Sequence, residues 1–213
     1  MRAPTRGSTD RGFTLIELLV VISIIIVLIG LMSTAIPMVI ARSRRLECAK
    51  HLSEIGKACV AYSSDYSSRY PWTKRGGQGQ LAEDKDAREC LELLYKLNLL
   101  DDPAVFVCPG AKGWDEAAEK IDGLTERRET FSLEDNQCSY TWRNAMTTEA
   151  SDSNTPISGD KRGGEVEPTN HKDGRNVLFS KGKVEWYTIE NLQSDSKDAR
   201  KFKKELIGFG NLE

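Results

Sequence analysis

Residues 18–41 contain no charged side chain. A run of about 24 residues at roughly 1.5 Å per residue is long enough, as a helix, to cross a hydrocarbon core about 30 Å thick. One acid, Glu17, stands at its leading edge. Insertion scales put an acid at mid-bilayer at a cost of about 2.5–3.5 kcal/mol, falling toward the interface. A carboxylate in that position therefore calls for a partner.

The residues around it are Arg11-Gly-Phe-Thr-Leu-Ile-Glu17, followed by Leu-Leu-Val-Val-Ile22. This string resembles the class III signal of type IV prepilins and type II secretion pseudopilins: a short basic leader ending in Gly, then Phe, with Glu four residues on. The resemblance implies that a prepilin peptidase cuts after Gly12 and methylates the new terminus at Phe13. It also implies that Glu17 meets the N-terminal amine of a neighbouring subunit during assembly. Its implied partners are the peptidase, other pilin-like subunits in a homo- or hetero-filament, and inner-membrane lipid. A plain secretory signal cut at Ser33-Thr-Ala35 competes with this reading, but the apolar run continues to Ala41 and Glu17 interrupts the usual apolar core. The leader has three arginines and the far flank has Arg42, Arg44, Arg45 and Lys50, so the positive-inside rule does not orient the span. A single-pass inner-membrane protein with a cytoplasmic leader and a periplasmic or extracellular head is what the resemblance implies.

Beyond leader and span, about 170 residues are enough for one modest domain with a core. Net charge is −2; without Arg2, Arg6, Arg11 and Asp10 it becomes −4, with 27 basic and 31 acidic side chains. No basic excess points to nucleic acid. Cys48, Cys59, Cys90, Cys108 and Cys138 include no C-x-x-C pair, and with only His51 and His171 the usual zinc spacing is missing. Cys48 and Cys59 on one helix lie roughly 16 Å apart and cannot bridge. The odd count leaves at least one thiol over. A Cys108–Cys138 bridge and buried thiols are both open.

The expected organisation is a leader at 1–12, the membrane part of a helix at 13–41, its amphipathic continuation at 42–70 and a head at 71–213. Leu46, Ala49, Leu52, Ile55, Cys59 and Tyr62 recur at helical spacing and predict one core-facing stripe. Pro37 is expected to kink or locally melt this helix. A second helix is predicted over 84–100, with Ala87, Cys90, Leu91, Leu94 and Leu97 on its inner face, then a short buried strand over 105–109. A short helix follows at 114–121. Alternation over 137–143 predicts a half-buried strand. The Ser-, Gly- and Asp-rich stretch 147–175 should hold at most a short strand at 156–158. Runs at 176–179 and 184–189 flank Ser180-Lys-Gly-Lys183 and predict a β-hairpin with Gly182 at positive φ. A terminal helix is expected from Ser194 or Asp195 to Gly208. Strands of the second half packed on a helix of the first make an α+β layer arrangement. The pilin-like fold implied by the resemblance, a long N-terminal helix across a small antiparallel sheet, is of that class.

Asn170 to Trp186 resembles a second motif, the C-terminal signature of a large bacterial family of prepilin-like proteins, in which a His is followed nine residues later by Asp-Gly. The pair here is Lys181-Gly182, so the acid is replaced by a base and no role of that aspartate carries over. Phe106-Val-Cys-Pro109 and the run from Cys48 through Tyr66 also resemble that family. Asp152, Asp160, His171 and Asp173 are weak candidates for a cation, calcium in particular, but no EF-hand spacing is present and no cofactor is expected. The exposed-looking aromatics Tyr66, Tyr70, Trp72 and Trp114 are candidates for stacking on a sugar or partner. No nucleophile motif occurs, and the protein is read as a non-enzymatic filament subunit of a type II secretion-like or type IV pilus-like system. The competing reading is an extracytoplasmic binding or enzymatic domain that uses the signal for delivery and anchoring.

Overall fold

A computed structural model of the chain describes residues 13–72, 84–111, 113–122, 128–134, 137–143, 146–148, 153–160, 171 and 173–188. It divides into two compact units, Met1–Ile40 and Ala41–Glu213. Helix α1, Leu15–Asp65, contributes to both.

In the first unit the large apolar side chains described between Phe13 and Ile40 are exposed. Its segment Leu15–Ser33 is long and apolar enough to cross a membrane. The helix is assigned without interruption across Pro37. Ser23 and Ser33 donate their hydroxyls to the carbonyls of Val20 and Gly30, so these polar groups are satisfied along the helix itself.

In the second unit the inner face of α1 is Cys48, Leu52, Ile55, Cys59 and Tyr62, all buried. Their spacing of four, three, four, three keeps one face toward the core. The stripe expected from the sequence differs at its start: Leu46 is 58% exposed and Ala49 only half-buried. Leu46 lies two residues, about 200° around the helix, from Cys48, and a helix cannot bury both faces against one sheet. Cys48 takes the place given to Leu46.

Helix α2, Asp84–Lys96, buries Ala87, Cys90, Leu91 and Leu94 as expected. It stops four residues before the expected end, and Leu97 is exposed. The terminator is Asn98 at φ 62°, with the Leu99 amide donating to the Leu94 carbonyl and the Asn98 amide to the Tyr95 carbonyl, a Schellman closure. Glu92, buried on this helix, accepts from the Leu133 amide at 2.7 Å and from Lys96 at 2.9 Å.

The strand expected over 105–109 is instead a 3₁₀ turn, Pro103–Phe106. Asp102 caps it by accepting from the Ala104 amide at 2.8 Å, and Pro103 presets the first turn. Burial was legible, since Val105, Phe106, Val107 and Cys108 are all inside. Helix α3 follows at Trp114–Asp122.

Four strands, β1 (Tyr140–Trp142), β2 (Pro156–Asp160), β3 (Gly174–Phe179) and β4 (Val184–Thr188), form an antiparallel meander in chain order. The fold is α+β. The predicted hairpin is β3–β4, registered as Asn176 opposite Trp186, with Lys181 and Gly182 at φ 69° and 85° in its turn. β2 runs longer than the stretch 156–158 and is buried throughout. Its Gly159 lies under the Asn176 carbonyl, 3.0 Å from where a Cβ would stand. The core is closed by Trp142, which donates through Nε1 to the Pro71 carbonyl at 2.9 Å. The terminal helix expected from residue 194 lies outside the described residues.

Candidate functional site

Two places carry chemistry, one in each unit. At the start of α1, Thr14 precedes the first helical residue and Glu17 stands three positions on. The Thr14 amide donates to Glu17 Oε2 at 2.9 Å, the Thr14 hydroxyl donates to the same oxygen at 2.8 Å, and the Glu17 amide donates back to the Thr14 hydroxyl at 3.3 Å. This is a capping box, and it satisfies two donors that the helix leaves open. Its sequence signal is the Thr-x-x-Glu spacing ahead of an apolar run. Phe13, directly before it, is 77% exposed, and Gly12 lies outside the described residues.

In the head, four segments far apart in sequence converge on one buried point. Cys48 comes from α1, Cys108 from the segment after the 3₁₀ turn, Asp160 from the end of β2, and His171 from just before β3. One ligand atom from each lies within 4.8 Å of all the others. Cys48 and Cys108 are joined as a disulfide with Cα atoms 5.1 Å apart. This corrects the Cys108–Cys138 pairing. Cys138 sits on the approach to β1, is buried, and donates its thiol hydrogen to the Tyr140 carbonyl at 3.4 Å. The bond closes a sequence separation of 60 residues, which in the chain-entropy model is worth about 4 kcal/mol.

Around the bridge, His171 Nε2 lies 3.3 Å from Cys108 Sγ and 3.6 Å from Asp160 Oδ2. Asp160 Oδ2 accepts from the Asn176 amide at 2.7 Å and from its side-chain nitrogen at 3.1 Å. The second Asn176 side-chain hydrogen reaches the Arg45 carbonyl at 3.2 Å, tying β3 to α1. Arg45 lies 4.0 Å over the Trp186 ring, and the His171 ring meets the same tryptophan edge-on at 5.7 Å. His51, one turn after Cys48, donates through Nδ1 to the Val107 carbonyl at 3.0 Å and fixes the Cys108 segment to α1.

Burial sets the protonation here. It raises the Asp160 carboxyl to about 7, against the lowering effects of Asn176 and then of Arg175. Burial, followed by the charge of Arg45, lowers His171 to about 4. Of the other cation candidates, Asp173 is exposed and Asp152 lies outside the described residues. Asp160 and His171 are therefore brought together, and their company is sulfur rather than further carboxylates. Of the aromatics, Tyr70 is buried, while Tyr66 and Trp72 are exposed and Tyr66 stacks on Tyr62 at 4.1 Å.

The model of the prokaryotic N-terminal methylation motif matches residues 7–33, the stretch that holds the capping box and the membrane-length helix. The N-terminal segment of the chain thus carries a prepilin-type methylation motif. No curated protein and no solved structure matches the chain. The prepilin-like segment thus ends well before the buried cluster, whose chemistry rests on its own geometry.

Proposed function

We propose that this prepilin-like protein is a membrane-anchored subunit of a pilin-type filament, cut by prepilin peptidase after Gly12 and methylated on Phe13. The observation that carries the reading is the methylation motif over residues 7–33 laid on an exposed apolar helix. In the membrane that helix is solvated by lipid; in a filament it packs against its copies, and either environment removes the apolar face from water. Cleavage creates an amine one residue before Thr14. Glu17 then has a choice of donors, the capping box of its own chain or the ammonium of a neighbour. In apolar surroundings a carboxylate without a countercharge is heavily penalised, so the pair acts as a register device between subunits. The head projects into the periplasm or the extracellular space and the leader stays in the cytoplasm. Both type II secretion-like and type IV pilus-like filaments use subunits of this plan.

The test is a sheared-surface and membrane fractionation of cells expressing the full chain. Co-sedimentation of the mature protein with long filaments is expected. Retention of all of it in the inner membrane, as isolated subunits under conditions where other pilin-like subunits assemble, would sink the reading.

A further inference from the structure

Disulfide formation accounts for two members of the buried cluster; the other two, Asp160 and His171, are ionisable groups packed beside it. A structural bridge needs neither an imidazole nor a carboxylate beside it, and both are costly to bury. Yet Asp160 is wholly buried, and its Oδ2, which Asn176 holds, stands 3.6 Å from His171 Nε2. The donor set and its spacing supply a reason. A tetrahedral zinc ion with bonds of about 2.3 Å to sulfur and about 2.0–2.1 Å to nitrogen or oxygen has ligand-to-ligand edges of roughly 3.3–3.8 Å. Two of the three edges at His171 are 3.3 Å to Cys108 Sγ and 3.6 Å to Asp160 Oδ2, and all four ligand atoms lie within 4.8 Å of one another.

We propose that Cys48, Cys108, Asp160 and His171 form a structural zinc site when the two cysteines are thiols, and that the disulfide and the zinc ion are alternative closures of one pocket. Soft sulfur beside imidazole suits zinc and is wrong for calcium or magnesium, which take oxygen. Two further contacts fit a thiolate and a fixed carboxylate. The Gly110 amide donates to Cys108 Sγ at 3.3 Å, the kind of contact that stabilises charge on sulfur. Asn176 holds the Asp160 carboxylate through two donors, as an outer-shell residue holds a ligand. All four ligands are buried, which suits a closed structural site with no open position.

The chemistry balances without hidden partners. A phosphine reductant takes one oxygen from water to become its oxide, supplying two electrons and leaving two protons on the sulfurs. Zinc then displaces those two thiol protons into solvent, and no electrons move in that step. Because disulfide sulfurs carry no charge, the oxidised chain lacks two of the four ligands.

Full-length protein in detergent, reduced with the phosphine and exposed to zinc, should hold one zinc per chain after gel filtration, and the oxidised chain should hold none. Calcium should not compete. With cobalt as the probe, the reduced chain should show intense visible bands and a thiolate-to-cobalt charge-transfer band. Asn176→Ala should weaken zinc binding by about 10- to 100-fold, and His171→Ala should weaken it further. Should His171→Ala fail to fold, His171→Cys replaces one ligand by another and should retain zinc with a stronger sulfur signature. The proposal is overturned if the folded, reduced chain holds no stoichiometric zinc. A cobalt spectrum without sulfur charge transfer, or zinc content equal in the oxidised and reduced chains, would overturn it too.

Discussion

The proposed function asks Glu17 to serve two states, the isolated chain and the filament. In the isolated chain one oxygen of its carboxylate, Oε2, accepts from both the amide and the hydroxyl of Thr14. A glutamine at the same position keeps an acceptor for the capping box but removes the charge. Glu17→Gln therefore separates the two roles. The start of α1 should be unchanged by amide exchange and cleavage after Gly12 should proceed, while incorporation into filaments should fall by at least about tenfold, the equivalent of about 1.4 kcal/mol. Normal incorporation of the glutamine variant would assign Glu17 to capping alone. Among the thiols, Cys59 is buried between α1 and the core, and burial pushes it well above the ordinary thiol range, followed in effect by the nearby Cys90. Since the thiolate is the nucleophile, iodoacetamide at mildly alkaline pH should modify Cys59 at least about a hundredfold more slowly in the native protein than in the denatured chain. Equal rates, read by peptide mass spectrometry, would contradict its burial.

At the scale of elements, the join between α1 and the β3–β4 hairpin positions everything in the head. Gly56 makes it possible: a Cβ there would stand 2.8 Å from Leu178 Cδ1 and 3.1 Å from the Gly182 backbone. The leucine can move, but the turn backbone has little room, so Gly56→Ala should destabilise the head by about 1–3 kcal/mol in chemical denaturation. A midpoint equal to or above that of the natural sequence would show that helix and hairpin do not pack so closely. Periodicity made most of these elements legible. The hairpin was read from two β-rich runs around a glycine, and the inner faces of α1 and α2 from their apolar spacing. What periodicity missed were local devices that override it. Asn98 ends α2 early through a left-handed backbone, and Asp102-Pro103 winds a buried stretch into a 3₁₀ turn where apolar content suggested a strand. β2 runs past the expected 156–158 because Gly159 and Asp160 have the composition of a loop, yet the fold buries them between two neighbouring strands. The cluster was the hardest to foresee. Its four members lie up to 123 positions apart, at Cys48 and His171, and only the packing of α1 against the sheet brings them together. No ligand spacing along the chain could have announced it.

For the whole molecule, the buried core among the described residues begins at Cys48, inside the second compact unit. The head should then hold itself together once cut free. A chain beginning at Ala41 should remain soluble without detergent and unfold in one cooperative transition. Aggregation, or a featureless thermal trace from a chain with intact Cys48–Cys108, would mean that the anchor contributes to the fold. The proposed function assigns assembly the opposite way, to residues 13–40 and to a terminus that the proposed cleavage after Gly12 would create. Under that proposal processing and assembly are two steps of one electrostatic arrangement, and the mature N-terminus is where they would meet. Intact-mass and terminal-peptide mass spectrometry of the protein recovered from membranes reads that terminus directly. The expected species begins at N-methylated Phe13; a chain that retains Met1, or one that begins after Ala35, would contradict the account.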